Sequence, residues 1–242
     1  EKILTKSLDE AIGIEDANHL MNINGSELYP LFATADFLRN EIVGDDVTFI
    51  NNCNINFTNI CTVRCGFCAF GRDAGDPDAY ILSDEQILSK AEGAVLRGAR
   101  EFTLMGGVLP DADIGYYEHL LTLLKDAHPD VAIHGFSPTM IKDACEVSGI
   151  DIAEGFERLK DAGLDTLPGT AAEILTDRSR EIICPEKVSV AEWVDIVKTA
   201  QEVGIPGSAT IMYGHVETLE ERVEHIDIIR QIQEDTGGFT EF

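Results

Sequence analysis

Hydrophobic and polar residues follow two alternating periods along this chain of 242 residues. Residues 47–59 alternate apolar or β-branched residues with polar ones, which predicts a strand after a mainly helical segment over residues 1–44. Short apolar runs predict five more strands, at 101–107, 131–136, 164–169, 207–214 and 239–242. Apolar positions at helical spacing predict five long helices between them, at 84–97, 114–127, 151–162, 190–203 and 219–235.

Capping signals support the limits of these helices. Serine or threonine followed three residues later by glutamate or glutamine is typical of a helix start, and glycine of a helix end. Three such starts are Ser83 with Gln86, Ser189 with Glu192, and Thr218 with Glu221.

Strands that alternate with helices predict parallel pairing through right-handed crossovers, and therefore either an open doubly wound sheet or a β/α barrel. No GxGxxG follows the first strand, so the dinucleotide-binding open sheet has no support. Glycine and polar residues gather just after the strands, and a barrel brings such loops to one face. The sequence therefore predicts an α/β fold with a partial six-stranded, TIM-like barrel. The expected division is a helical preface over 1–44 and a barrel core over 45–242, with both ends of the chain cut.

Charge changes the expected surroundings more than the expected fold. The chain has 18 basic and 44 acidic residues, for a net charge of −26. Such a surface repels phosphate backbones and is typical of a halophile, in which salt screens the self-repulsion. No apolar run approaches the roughly 20 residues that cross a bilayer, and the first 20 residues are amphipathic and acidic, unlike a signal peptide. We expect a cytoplasmic protein, with neither nucleic acid nor a membrane as a partner.

The segment NICTVRCGFCAFGR, residues 59–72, carries half of the six cysteines in eight positions: Cys61, Cys65 and Cys68. A structural zinc site takes four ligands, which would require a remote thiol such as Cys145 or Cys184. A conventional [4Fe–4S] cluster also takes four cysteines. With three, one iron stays open and is able to chelate S-adenosylmethionine (SAM) and pass an electron to its sulfonium. A radical-forming cluster and a metal or electron-transfer module without SAM are both open readings of the spacing.

The spacing C-x3-C-x-aromatic-C, with Phe67 as the aromatic residue, resembles the radical SAM superfamily. The resemblance implies that Cys61, Cys65 and Cys68 ligate a [4Fe–4S] cluster and that Phe67 lies near the SAM adenine. MGG (105–107) resembles the superfamily's glycine motif, which implies that Gly106 and Gly107 present backbone to the SAM amino group.

Longer strings, among them NINFTNICTVRCGFCAF, PGTAAEIL, IICPEK and GIPGSATIMYGHVET, resemble the CofH family, the 4-hydroxyphenyl transferase of FO synthase in coenzyme F420 biosynthesis. The resemblance implies that a 5′-deoxyadenosyl radical abstracts hydrogen from the tyrosine amino group. The Cα–Cβ bond then breaks, iminoglycine leaves, and the 4-hydroxybenzyl group joins 5-amino-6-(D-ribitylamino)uracil. Implied partners are the CofG subunit and an electron donor such as ferredoxin or flavodoxin. The alternative is the menaquinone-pathway cyclase acting on dehypoxanthine futalosine, which usually has PGGGAEI where this chain has PGTAAEI.

Six further residues are candidates for contact with cofactor or substrate, and for each the alternative is an ordinary structural role. Arg180 offers a guanidinium for a carboxylate of tyrosine or SAM. Glu173 is expected to bind the SAM ribose or amino group. Four residues follow strands at the barrel face where substrates bind: His134, Ser137, His215 and Glu217.

Overall fold

The computed structural model describes residues 1–242, and its strands and helices alternate as expected. The five strands are β1 (Asn52–Asn56), β2 (Glu101–Met105), β3 (Ala132–Gly135), β4 (Gly207–Ser208) and β5 (Phe239–Glu241). The ten α-helices are α1 (Lys2–Lys6), α2 (Ile14–Met21), α3 (Leu28–Val43), α4 (Asp84–Leu96), α5 (Ile114–Ala127), α6 (Pro138–Ser148), α7 (Ile152–Asp161), α8 (Asp177–Ile183), α9 (Val190–Val203) and α10 (Leu219–Thr236).

All strand pairs are parallel, in the order β1-β2-β3 and β4-β5. The predicted strand at 164–169 contributes only two isolated parallel bridges, Thr166 to His134 and Leu167 to Gly207. These bridges join the two sheets into one curved, six-membered series of strand segments. The predicted partial barrel is confirmed. Its strands are shorter than the apolar runs that predicted them. The division between preface and core stays a prediction.

The three predicted capping boxes are present, at the starts of α4, α9 and α10. Two helices were not predicted, α6 and α8. Helix α6 begins at Ser137, whose hydroxyl accepts a hydrogen bond from the Met140 backbone N–H, and it has Pro138 in its first turn. No helix is long and apolar enough to span a bilayer.

Strand alternation separates an apolar face from a polar one. Ile55, Phe102, Leu104 and Ile133 are fully buried in the core that they share with the helices. Successive side chains point to opposite faces of a strand, so the residues between them lie on the concave face. On that face one row across the sheet is polar throughout: Asn54, Thr103, His134 and Thr166. The strands therefore present an apolar face to the helices and a polar face to the interior of the barrel.

Candidate functional site

The cysteine loop, residues 61–68, leaves the end of β1 and is tied to the end of β2. The backbone N–H of Thr62 donates to the Val108 carbonyl at 2.9 Å. In return, the Val108 N–H donates to the Cys61 Sγ at 3.2 Å. A backbone N–H aimed at sulfur is the kind of donor that stabilises a thiolate. The first cysteine is thus positioned by the neighbouring strand.

Gly107 permits this close approach. A Cβ atom at Gly107 would lie 2.1 Å from the Ile60 carbonyl oxygen and 2.7 Å from the Cys61 Cβ. Its N–H is used within the protein, since it donates to the Thr58 carbonyl at 3.0 Å. The glycine pair expected to meet SAM is therefore also what lets the cysteine loop pack against β2, and contact with SAM stays a prediction.

Arg72 organises the residues that follow Cys68. Its Nη1 donates to the carbonyls of Ala69, Phe70 and Gly71 at 2.9–3.2 Å. Its backbone carbonyl accepts from the Cys61 N–H at 3.1 Å. One arginine thereby fixes the loop at both ends.

The other side of the loop rests on the segment 171–188, which surrounds α8. The Gly66 N–H donates to the Ile183 carbonyl at 2.7 Å. The Cys65 side chain packs on Ile174, Ile183 and Cys184. Burial raises the pKa of the Cys65 thiol to about 11, although nearby Lys187 opposes the shift. The middle of the loop is therefore held by a segment more than 100 residues away in sequence.

Lys187 is a site residue that the sequence pattern does not predict. Its ammonium is ion-paired with the Glu173 carboxylate, and both side chains are only 15% exposed. The same ammonium lies 5.4 Å from the centroid of the Phe67 ring. Burial alone would lower the pKa of Lys187, but Glu173 raises it and keeps the side chain charged. The string IICPEK contained this lysine, but nothing in it distinguishes the residue from a surface lysine.

Glu173 itself has an unusual backbone. Its φ is +47°, in the left-handed region that non-glycine residues seldom adopt. Its carbonyl accepts from the Met212 N–H at 2.7 Å. Such outliers persist where the surroundings impose them and cluster at functional sites.

The three thiols share the loop but do not yet form a cage. Cys61 and Cys65 are partly buried and Cys68 is exposed, and no disulfide joins any of the six cysteines. No three His, Cys, Asp or Glu side chains converge closely enough to hold a metal ion as they stand. The structure therefore brings together the loop, the glycines, Phe67 and Glu173.

His134 lies in the polar row of the concave face. Its Nδ1 is hydrogen-bonded to the Thr166 hydroxyl at 2.6 Å. Burial lowers the pKa of His134, while Glu101 and Glu241 oppose the shift. A neutral imidazole with one nitrogen fixed by threonine is suited to positioning a polar substrate.

Arg180 has a different environment from the one expected. It is 4% exposed, and its terminal nitrogens donate to the carbonyls of Ala171, Ala172 and Val188. It is therefore not an exposed helical arginine, and its contact with a carboxylate stays a prediction. Its guanidinium instead holds the backbone just before Glu173 and just after Lys187.

Glu217 and His215 are occupied in a similar way. The Glu217 carboxylate is fully buried and accepts from the N–H groups of Gly214 and His215 and from Arg222. Burial alone would raise the pKa of Glu217, but these donors hold it at about 2. The His215 Nε2 is 2.9 Å from the Met212 carbonyl. With the Ser137 hydroxyl used as a helix cap, three expected substrate ligands have structural partners, and their contact with substrate stays a prediction.

Comparison with known proteins agrees with this geometry. The chain is 50% identical over all of its 242 residues to the 5-amino-6-(D-ribitylamino)uracil–L-tyrosine 4-hydroxyphenyl transferase of Methanothermobacter thermautotrophicus. It is 43% identical over 98% of its length to the protein of that name from Methanopyrus kandleri. The chain spans 66% of the length of each of these relatives.

Solved structures share the fold at low identity. The FeFe-hydrogenase maturase HydG from Carboxydothermus hydrogenoformans has a TM-score of 0.75 at 20% identity, over 98% of this chain and 53% of that one. Methylornithine synthase PylB has a TM-score of 0.73 at 18% identity, over 96% of this chain and 64% of that one. Residues 55–229 match the Radical SAM superfamily. Because that match extends from β1 through the cysteine loop to α10, the chain belongs to the radical SAM superfamily.

Proposed function

We propose that this chain is the radical SAM core of a 4-hydroxyphenyl transferase that moves the side chain of tyrosine to 5-amino-6-(D-ribitylamino)uracil. The observation that carries the proposal is the 50% identity, over the whole chain, to a transferase of that name. The same name on relatives at 48% and 43% identity favours the transferase over the futalosine cyclase.

Superfamily membership implies SAM and a [4Fe–4S] cluster, and the donor set of this chain suits both. Three thiols on one short loop, free of disulfides, match a cluster with one open iron. We assign Cys61, Cys65 and Cys68 as its ligands. When bound, the cluster supplies the electron that cleaves SAM reductively. The chain's own part is to hold the thiols, exclude water and orient what binds beside them.

Phe67, at 44% exposed, offers an aromatic face beside Cys65 and Cys68 for the adenine of SAM. The backbone around Gly106 and Gly107, and the Glu173 carboxylate, are the remaining proposed SAM contacts. Arg180 is assigned a positioning role, because three of its N–H groups donate to the backbone carbonyls of Ala171, Ala172 and Val188.

The polar concave face is the proposed place of the two substrates. Tyrosine and a ribityl-substituted uracil both present many hydrogen-bonding groups, which need partners once they are buried. The row containing Asn54, Thr103 and His134 offers amide, hydroxyl and imidazole groups for this purpose. His215 and Glu217 shape the edge of this face through their loop. A CofG-type companion and a ferredoxin or flavodoxin complete the proposal as functional partners.

The test is a substrate choice after anaerobic reconstitution of the complete protein with iron and sulfide. SAM, dithionite and tyrosine are supplied, and 5-amino-6-(D-ribitylamino)uracil or dehypoxanthine futalosine is added in turn. We expect 5′-deoxyadenosine and the hydroxybenzylated uracil in the first reaction only. Deoxyadenosine that requires only futalosine would refute the transferase, and a protein that takes up only zinc would refute the radical chemistry.

Cysteine variants test the ligands separately. Alanine at any one of Cys61, Cys65 or Cys68 is expected to abolish SAM cleavage and the visible absorption of the cluster. Cys53→Ala is the matched control, since this cysteine lies on β1 away from the loop. Unchanged SAM cleavage in any loop variant would contradict the assignment.

A further inference from the structure

We infer that Lys187 is a positioning residue that fixes the cysteine loop by bridging Phe67 and Glu173. The inference rests on the proposed function only in assigning the loop's thiols to a cluster. Its physical basis is a set of contacts between two segments that are far apart in the chain.

The Lys187 ammonium is largely shielded from solvent. Lys187 is 15% exposed at its side chain and its only carboxylate partner is Glu173, which is equally enclosed. Exposed ion pairs contribute little because water screens them, but removing one partner of a pair withdrawn from water leaves an uncompensated charge and is costly. The position of this ammonium is therefore set by the protein.

The aromatic ring of Phe67 lies against the Lys187 ammonium. Phe67 lies between Cys65 and Cys68, and the residue is 44% exposed. A lysine ammonium within about 6 Å of an aromatic centroid is attracted to the face of the ring. At 5.4 Å, Lys187 meets that criterion and restrains the ring and the backbone that carries it.

The backbone next to Lys187 is itself fixed by Arg180. Arg180 donates to the Val188 carbonyl next to Lys187 and to the Ala172 carbonyl next to Glu173. The two partners of the ion pair are thus fixed by one buried guanidinium. The Gly66 N–H, bonded to the Ile183 carbonyl, provides a second attachment between the same two segments.

The experiment measures hydrogen–deuterium exchange of the peptide 59–72 in the complete protein before reconstitution, so that it does not depend on catalysis. Lys187→Met keeps the length of the stem and removes the charge. We expect it to speed exchange of this peptide by roughly fivefold, the scale of losing a cation–π contact and a shielded ion pair. Lys187→Arg should restore most of the protection. Phe67→Leu and Glu173→Gln should each give a smaller increase.

Lys198→Met is the matched control, because Lys198 also has a single carboxylate partner, Asp235, but lies on the surface of α9. It should leave peptide 59–72 unchanged. Iron content after reconstitution is a second readout and should fall in Lys187→Met and recover in Lys187→Arg. If Lys187→Met exchanges like Lys198→Met in peptide 59–72, the inference is wrong.

Lys187→Met leaves Glu173 buried without a counter-ion, so the variant is liable to unfold as a whole. That outcome is recognised by faster exchange in α5, and the double variant Lys187→Met/Glu173→Gln removes both charges to avoid it. A folded double variant with wild-type protection of the loop would overturn the inference. If the wild type takes up no [4Fe–4S] cluster, the proposed function fails while the exchange result still decides the role of Lys187.

Discussion

The packing of Gly107 gives the most direct test of how the cysteine loop is held. In Gly107→Ala the new Cβ would lie 2.1 Å from the Ile60 carbonyl oxygen, 2.6 Å from its carbon and 2.7 Å from the Cys61 Cβ. Two of these atoms belong to the backbone, so no rotation of a side chain relieves the contact. The backbone at Cys61 must move away from β2.

The size of the effect follows from those distances. Overpacking a close-packed site costs about 1–3 kcal/mol, and a backbone clash belongs in the upper half of that range. For a chain of this size, each kcal/mol lowers the melting temperature by about 2–4 °C. Gly107→Ala is therefore expected to melt about 4–12 °C below the wild type. The same movement would pull the Cys61 sulfur from the Val108 N–H, so iron uptake should fall as well.

Two glycines supply graded controls. At Gly106 a Cβ would meet the Phe57 ring at 3.0 Å and the Thr58 carbonyl at 3.1 Å, which predicts a smaller loss. At Gly75 no atom lies within 4 Å, which predicts none. The assays are thermal unfolding of the unreconstituted protein and iron per chain after reconstitution. If Gly107→Ala equals Gly75→Ala in both assays, the close approach of loop and strand described here is wrong.

Three further predictions concern buried charge. Arg180→Met should lower the free energy of unfolding by about 2–4 kcal/mol, because three carbonyls lose their donors; a rise in the tyrosine KM with unchanged denaturation would instead favour carboxylate binding. Glu217→Gln should cost about 1–3 kcal/mol at neutral pH. The folded pKa of Glu217, about 2, lies below the ordinary 4.5, so urea melts should show this difference above pH 4.5 and lose it towards pH 2. Burial lowers the pKa of His225 from 6.5 to about 4. Wild-type stability should therefore fall as pH drops through that interval, and His225→Gln should fall less.

The helices show which parts of the fold are determined by residues close together in sequence. The capping boxes at Ser83, Ser189 and Thr218 each lie within four residues of the helix that they start, so the sequence identifies them. Helix α6 has a related signal, a serine followed by proline, but the position of Ser137 after a strand also predicts a substrate ligand. A serine after a strand has both uses; the Met140 N–H shows that Ser137 caps the helix, and its contact with substrate stays a prediction.

The predicted strand at 164–169 and helix α8 show where local sequence patterns fail to predict the structure. Residues 164–169 look like a strand, but only Thr166 and Leu167 find partners, one on each side. Helix α8 has seven residues, too few for a periodic pattern. In both cases the conformation is set by neighbours distant in sequence, which a single chain does not reveal.

The candidate site divides in the same way. The thiols were predictable because their spacing is local and unusual. Lys187 was not, because it meets Phe67 from a position 120 residues later. Arg180 and Glu217 were chosen for their charge and their place after strands. In the structure the Arg180 guanidinium donates to backbone carbonyls and the Glu217 carboxylate accepts from backbone N–H groups, as buried polar groups generally do.

The supports of the cysteine loop bear on how a cluster would enter it. The loop's start is fixed by Val108 and its end by Arg72, and its middle rests on Ile183 and Lys187. Ordering these residues before binding removes an entropic cost that a flexible loop would pay when the metal arrives. Cys68 is exposed and the thiols are not yet convergent. A substitution that loosens a support should therefore weaken cluster binding even though it removes no ligand.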